Sequence, residues 1–130
     1  MNLMNIVQLK RIDEIDMANR WEMVFDYIDF EYTKTRYIFN EPYRLIIRKE
    51  KGDEISPWYY CAEDESLDIS VAEESLEEAI NSFYSDIDFL WQRYANAEDS
   101  KLYKKATLLK NNINGLIREI TKYDDENKGN

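Results

Sequence analysis

The fold is decided between Pro57 and Tyr94. Residues 58–71 read WYYCAEDESLDISV, and residues 74–94 read ESLEEAINSFYSDIDFLWQRY. The first segment predicts an apolar strand that runs into an acidic turn, and the second predicts the clearest helix of the chain. Ser75 is a favourable N-cap, because its hydroxyl can accept a hydrogen bond from a free amide of the first turn. Glu78 stands three residues further on, as in a capping box.

Behind this cap, apolar residues recur at three- and four-residue spacing. They are Leu76, Ala79, Ile80, Phe83, Ile87, Leu90, Trp91 and Tyr94. This spacing places them on one broad face of a helix, and that face must be buried against other elements.

The chain before Pro57 predicts strands. Apolar residues alternate from Trp21 to Tyr32 and change parity near Tyr27 and Ile28, which predicts one long strand bent by a β-bulge. The segment Asn40-Glu41-Pro42 predicts a break, since proline has no amide to donate.

Shorter segments complete the predicted sheet. Residues 43–49 and 58–62 both carry the strand pattern and predict neighbouring antiparallel strands. Residues 67–71 predict either a short further strand or a continuation of the preceding one. Residues 1–16 fit a strand slightly better than a helix.

A second helix is predicted after a polar break at residues 96–100. Asp99 or Ser100 can cap it, and apolar residues from Leu102 to Ile120 recur at near-heptad spacing. The predicted fold class is therefore α+β: an antiparallel sheet of about four strands followed by two C-terminal helices, one of them packed on the sheet.

Length and composition indicate one domain. The chain has 130 residues, 44% of them hydrophobic, with 10 Tyr, 5 Phe and 3 Trp. We assign residues 1–123 to a single α+β domain and residues 124–130 to a frayed acidic and polar tail. Without a long apolar run or a basic-then-apolar leader, we expect a soluble, cytoplasmic protein that does not bind membranes. Cys61 has no second cysteine to pair with, and we expect it to pack as a small apolar residue.

The negative charge is concentrated in one block. The net charge is −10, and residues 52–92 contain 12 of the 27 acids and no lysine or arginine. The rest of the chain holds all 17 basic residues. Direct nucleic-acid binding through this block is not expected, because phosphate contacts need cations.

The composition also excludes several kinds of catalytic site. The chain has no histidine, one cysteine and three glycines, which excludes Ser-His-Asp triads, thiolate metal sites and glycine-rich phosphate loops. Asp64, Asp68, Glu73 and Glu74 could in principle hold Mg²⁺ or Ca²⁺, but the acidic turn lacks the glycine and the final glutamate of an EF-hand loop. We therefore expect no metal, no cofactor, no catalytic residues and no enzymatic activity.

Residues 58–117 resemble the HicB-like antitoxin family. The strand ending Tyr59-Tyr60-Cys61-Ala62-Glu63, the apolar Leu67-Asp68-Ile69 and the helix opening Ser75-Leu76-Glu77-Glu78-Ala79-Ile80 are similar to that family's pattern. The resemblance implies a small antiparallel sheet with a helix across one face, and binding to a partner protein, in that family a small RNase toxin. Glu73 replaces a glycine of the family. No DNA-binding segment follows residue 121, so we expect a short relative without autorepression.

The acidic block allows two interpretations. It either coats the outer face of a soluble domain or forms a docking surface for a basic partner protein. In the second case, eight acids form the centre of the partner-binding surface: Glu63, Asp64, Glu65, Asp68, Glu73, Glu74, Glu77 and Glu78. Exposed aromatic residues among Trp58, Tyr59, Tyr60, Tyr84 and Trp91 would serve as anchors.

Three functions follow from these observations. The leading hypothesis is an antitoxin-like, non-enzymatic domain that neutralises or regulates a basic partner protein. An alternative is a phage or mobile-element inhibitor of the anti-CRISPR kind, which imitates nucleic-acid charge to block a nuclease. A third is a self-associating structural domain, a homodimer that uses the helix Leu102–Ile120 as its seam.

Overall fold

The computed structural model describes residues 8–12 and 19–123 of the chain. The predicted tail at 124–130 and most of the predicted N-terminal strand lie outside these ranges. The described elements are strands β1 (Gln8–Ile12), β2 (Arg20–Phe30), β3 (Thr35–Lys51), β4 (Trp58–Asp64), β5 (Ile69–Glu73) and β6 (Ile117–Lys122), and helices α1 (Leu76–Tyr94) and α2 (Lys104–Leu116). The α+β class is confirmed, and the described sheet is larger than expected.

The strands form an antiparallel sheet in the order β1-β2-β3-β4-β5, with β6 also paired to β3. Strands β4 and β6 both pair with the long strand β3, on the edge opposite β2. Its first part, Thr35–Phe39, pairs with β6, and its last part, Arg48–Lys51, pairs with β4. The predicted pairing of residues 43–49 with residues 58–62 is confirmed where Arg48 pairs with Cys61.

The irregular pairing predicted near Tyr27 of β2 is confirmed, but its extra residues lie on β3 rather than on β2. Phe25 pairs with Tyr43 and Tyr27 pairs with Ile38, so β3 has several more residues than β2 between these two pairs. Residues 40–42, predicted to break the strand, instead form this irregular part of β3. Pro42 is tolerated there because no ladder hydrogen bond to β2 is required of it.

β4 and β5 form a hairpin. A 3-10 turn, Glu65–Leu67, joins them, and Asp68 follows with a φ of 54°. Of the two alternatives left open by the sequence, the short further strand is therefore confirmed. Cys61 is half-buried on β4. Burial is the largest of the causes that raise the pKa of its thiol.

The helix α1 packs across one face of the sheet. Ser75 caps it as predicted, accepting a hydrogen bond from the amide of Glu78 at 3.1 Å. Its buried face consists of Ala79, Ile80, Phe83, Tyr84, Ile87 and Leu90. These side chains meet the buried strand residues Met23, Phe25, Tyr37, Phe39, Leu45, Ile47, Ala62, Ile69 and Val71.

The prediction of a second helix from Leu102 to Ile120 is wrong at both ends. Helix α2 begins at Lys104, and Tyr103 rather than Asp99 or Ser100 is its N-cap. Helix α2 ends at Leu116, and the chain continues at once as strand β6. Ile117 and Ile120 are β-branched and favour a strand, and the edge of Thr35–Phe39 that β4 leaves unpaired offers them a partner. Ile113 and Ile117 are buried in the core, so part of the apolar face on which the dimer hypothesis depended is used inside the fold. The dimer itself stays a prediction.

None of the helices in the described ranges combines the length and the apolar character that a membrane span needs.

Candidate protein-docking surface

Four of the eight predicted site residues lie at the tip of the β4–β5 hairpin: Glu63, Asp64, Glu65 and Asp68. We call them the tip acids. Asp64 ends β4 and caps the 3-10 turn, accepting hydrogen bonds from the amide of Leu67 at 3.2 Å and the hydroxyl of Ser66 at 2.7 Å. Asp64 therefore shapes the turn, and Glu65 and Asp68 are exposed around it.

The other four, Glu73, Glu74, Glu77 and Glu78, lie where β5 ends and α1 begins. We call them the helix-start acids. Serine hydroxyls contact three of them: Ser82 donates to Glu73 at 2.7 Å, Ser56 donates to Glu74, and Ser75 donates to Glu78 at 3.0 Å. A hydroxyl contact leaves the charge of a carboxylate in place, so this end of the hairpin stays negative.

The structure does not bring all eight acids together. β5 separates the two groups, and its five residues span about 13 Å at about 3.3 Å per residue. The eight acids therefore lie in two groups rather than in one compact cluster. The two groups mark the two ends of β5.

Two tip acids are paired with basic residues from outside the acidic block. Arg48 of β3 contacts Glu63 at 2.9 Å, and Lys105 of α2 contacts Asp68 at 3.1 Å. Glu63 lies on the side of the sheet that faces away from α1, which we call the open face. These partners are distant in sequence, so a count of charges along the chain could not reveal them.

A cleft of about 250 Å³ opens between the hairpin tip and the helices. It is lined by Leu67, Asp68, Ile69, Asp86, Phe89, Leu90, Tyr94 and Leu109. Two of these residues are acids and the rest are apolar or aromatic. The cleft is below the range of about 300–1,000 Å³ that is usual for small-molecule sites, so its size fits a side chain better than a cofactor.

Asp86 was not among the predicted site residues. Ser82, Asp86 and Phe89 follow each other at helical spacing, which places them on one face of α1 beside β5. Burial, and in second place the like charge of Glu73, raise the pKa of Asp86 above its usual 3.8. In the sequence Asp86 lies near the polar residues Ser82, Ser85 and Asp88, a pattern typical of an exposed helix face. Its place on the rim of a cleft could be recognised only from the packing of α1 against β5.

We call Asp68, Glu73 and Asp86 the edge acids, because they follow the outer side of β5. β5 is the last strand in the sheet order, and in the described ranges it pairs with β4 alone. An edge strand presents unpaired backbone N–H and C=O groups at alternate residues. A free strand edge, a cleft and a row of acids therefore occur side by side.

The structure separates the aromatic residues into interior and exposed ones, a division that the sequence pattern did not specify. Tyr84 is buried and Trp91 packs on Tyr37 with ring centroids 6.2 Å apart, so both belong to the interior. Trp58 is 44% exposed but lies at the far end of the hairpin, under the ammonium of Lys49. Phe89, which is 58% exposed on the rim of the cleft, is the aromatic residue best placed for a partner.

Two tyrosines, the buried Tyr37 and the half-buried Tyr43, tie acids of the block to the core. The hydroxyl of Tyr43 donates to Asp64, and that of Tyr37 donates to Asp88. Burial, followed by the hydrogen bond to the acid, raises the pKa of both tyrosines above the ordinary value of 10.0. Asp64 and Asp88 therefore serve the fold and are poor candidates for contacts with a partner.

Two further findings bear on function. In the part of the chain that the structure describes, no group of three or more acids or cysteines is arranged to hold a metal ion. Comparison of the chain with models of protein families, with curated proteins and with solved structures found no match.

Proposed function

We propose that this chain is a non-enzymatic, acidic protein-binding domain of the cytoplasm that neutralises or regulates a basic partner protein in the manner of an antitoxin. The observation that carries the proposal is the free edge of β5 with the edge acids and the cleft beside it. The resemblance of residues 58–117 to HicB-like antitoxins supports the same class of function.

Charge explains why the partner should be basic. Burial, and after it the negative charge of nearby Glu73, raise the pKa of Asp86. No ion pair to either is formed within the described ranges, although Ser82 donates a hydrogen bond to Glu73. A cation brought by a partner would relieve this repulsion, and like charges would be rejected.

The surface also has the composition of a small interface. Phe89 is an exposed aromatic residue at the rim, and Leu67 and Leu90 form an apolar floor. At protein interfaces, the residues that contribute most to binding usually include an aromatic or apolar anchor that excludes water, with a few charges beside it.

The test is affinity capture from an extract of the source cell, with bound proteins quantified by mass spectrometry. The full chain is compared with an edge-acid variant, Asp68→Asn, Glu73→Gln and Asp86→Asn. The control variant, Asp26→Asn, Glu41→Gln and Glu54→Gln, removes the same charge from exposed positions elsewhere. We expect one basic protein that the wild type and the control retain, and that the edge-acid variant retains at least tenfold less.

Equal retention by the edge-acid variant would contradict the proposal, as would the lack of any basic protein that distinguishes the two variants. Release of the retained protein by added duplex DNA would favour imitation of nucleic-acid charge over the antitoxin mode. Added salt should weaken retention, because exposed charges attract less strongly when they are screened.

A further inference from the structure

The backbone of β5 offers a second kind of contact beside the charge of the edge acids. Ser70 and Ala72 are exposed on the open face, while Ile69 and Val71 are buried under α1. The strand is therefore anchored on one face and exposed on the other, and in the described ranges no strand pairs with its outer edge. An extended segment of another protein can extend a sheet at such an edge through main-chain hydrogen bonds.

The cleft lies where one side chain of an added strand would point. It opens at the start of β5, beside Ile69, and is closed on the helix side by Asp86 and Phe89. Side chains of a strand alternate between the two faces of the sheet, so every second residue of an added strand would face α1. One of them would enter the cleft.

The walls of the cleft select the chemistry of that side chain. Leu67, Ile69 and Phe89 offer apolar contacts, and Asp68 and Asp86 supply two carboxylates. Lysine and arginine combine an apolar stem with a charged end, so they match both parts. The chain itself pairs one of these carboxylates with an ammonium, since Nζ of Lys105 lies 3.1 Å from Asp68, although Lys105 does not line the cleft.

We infer that the partner adds an extended segment to the free edge of β5 and places a lysine or arginine in the cleft between Asp68 and Asp86; this inference rests on the proposed function and specifies its geometry. The cation of the partner replaces or joins Lys105 at Asp68. Main-chain hydrogen bonds then fix the register, and the cleft fixes which residue of the segment is basic.

The test uses a synthetic probe. It is a blocked seven-residue peptide of alternating valine and threonine with a central lysine, titrated into the ¹⁵N-labelled full chain and followed by NMR. We expect chemical-shift changes at residues 68–73 and at Asp86 and Phe89. Replacing the lysine by norleucine should weaken binding at least fivefold, and methylating alternate backbone nitrogens should abolish it.

A variant of the chain tests the same geometry from the other side. Ala72→Lys adds a cation to the exposed edge, which repels a basic strand and blocks edge pairing. Asn96→Lys adds the same charge at an exposed site in the polar break between the helices. We expect at least tenfold weaker peptide binding for Ala72→Lys and less than a twofold change for Asn96→Lys. The peptide variants remain decisive if Ala72→Lys does not fold.

The outcomes separate this inference from the proposed function. Shifts absent from β5, equal binding of the N-methylated peptide, or equal binding of the norleucine peptide would each overturn the inference. If capture of a basic protein still depends on the edge acids, the function stands and strand addition is wrong. If the peptide binds as expected but no basic protein is captured, the proposed function is wrong.

Discussion

Two acid-bearing regions of this molecule differ in how their charge is balanced. On the open face, arginines contact the acids: Arg44 contacts Glu22 at 3.1 Å, Arg36 contacts Asp29 at 2.7 Å, and Arg48 contacts both Glu50 and Glu63. Along the β5 edge, Glu73 is held by a serine hydroxyl, and among the edge acids only Asp68 has a basic partner in the described ranges. In the described ranges, acids of equal formal charge are therefore balanced by arginines of the fold in one place and left largely without cations in another.

The largest expected effect is on the open face. Arg36→Met removes the guanidinium and leaves the carboxylate of Asp29, whose side chain is 5% exposed, without its cation. We expect a loss of about 3 kcal/mol in the free energy of unfolding, measured in urea, because an unpaired buried charge is costly. The control Arg44→Met breaks a pair whose arginine is 70% exposed and should cost less than about 1 kcal/mol. Equal losses in the two variants would show that exposure does not separate these pairs.

The second prediction concerns the tip acid that serves the core. Tyr43→Phe removes the hydroxyl that donates to Asp64, and we expect a loss of about 1.5 kcal/mol at pH 7 in the same assay. Burial and Asp64 hold the pKa of Tyr43 above 10.0. Wild-type stability should therefore fall as the pH rises above about 10, where the tyrosine of the unfolded chain ionises and that of the folded chain does not.

Tyr43→Phe should make this alkaline decline shallower. Tyr32→Phe, at a fully exposed position, should leave both the stability and its pH dependence unchanged. An identical slope above pH 10 in the wild type and in Tyr43→Phe would show that this hydroxyl does not hold its proton in the folded state.

The difference between local and distant contacts also explains which features the sequence predicts and which it does not. Three features depend on residues that are neighbours in the chain, so the sequence pattern was sufficient to predict them. They are the cap at Ser75, the apolar face of α1 and the irregular pairing of β2. The strand β6 and the ion pairs of Glu63 and Asp68 depend on partners distant in the chain. Ile113, Ile117 and Ile120 fit a helical repeat as well as they fit the observed change from helix to strand. The cleft at Asp86 could not be predicted from the sequence, because it forms only where α1, α2 and the hairpin tip pack together.

A third prediction tests whether Ser75, at the start of α1, stabilises the helix by capping its backbone. Ser75→Ala removes the acceptor for the amide of Glu78 and should cost about 1 kcal/mol, as loss of an N-cap usually does. Ser85→Ala, at an exposed position inside α1, should cost nothing, because alanine is the better helix former. Thermal unfolding by circular dichroism measures both. A larger loss for Ser85→Ala would contradict the role assigned to Ser75.

The smallest expected effect is a gain. Asp86→Asn removes a carboxylate whose pKa is raised by burial and by Glu73, so the charged form opposes folding at neutral pH. After allowance for solvent screening we expect a gain of about 0.5 kcal/mol at pH 7. The gain should disappear as the pH falls below 3.8, where the wild-type carboxyl is protonated both folded and unfolded.

The matched control lies two residues further along α1. Asp88→Asn weakens the acceptor for the hydroxyl of Tyr37 and should reduce stability at the same pH. If Asp86→Asn is destabilising and Asp88→Asn is neutral, the assignment of Asp88 to the fold and Asp86 to the docking surface is reversed.

The most direct measurement of the central claim is zero-length carbodiimide cross-linking of the full chain in an extract of the source cell. This reaction joins carboxylates to lysines in contact with them, and mass spectrometry identifies the joined residues. We predict cross-links from lysines of a basic partner to Asp68, Glu73 or Asp86, and none to Glu22 or Glu63 on the open face. Partner cross-links confined to the open face would contradict the claim that the β5 edge is the docking surface.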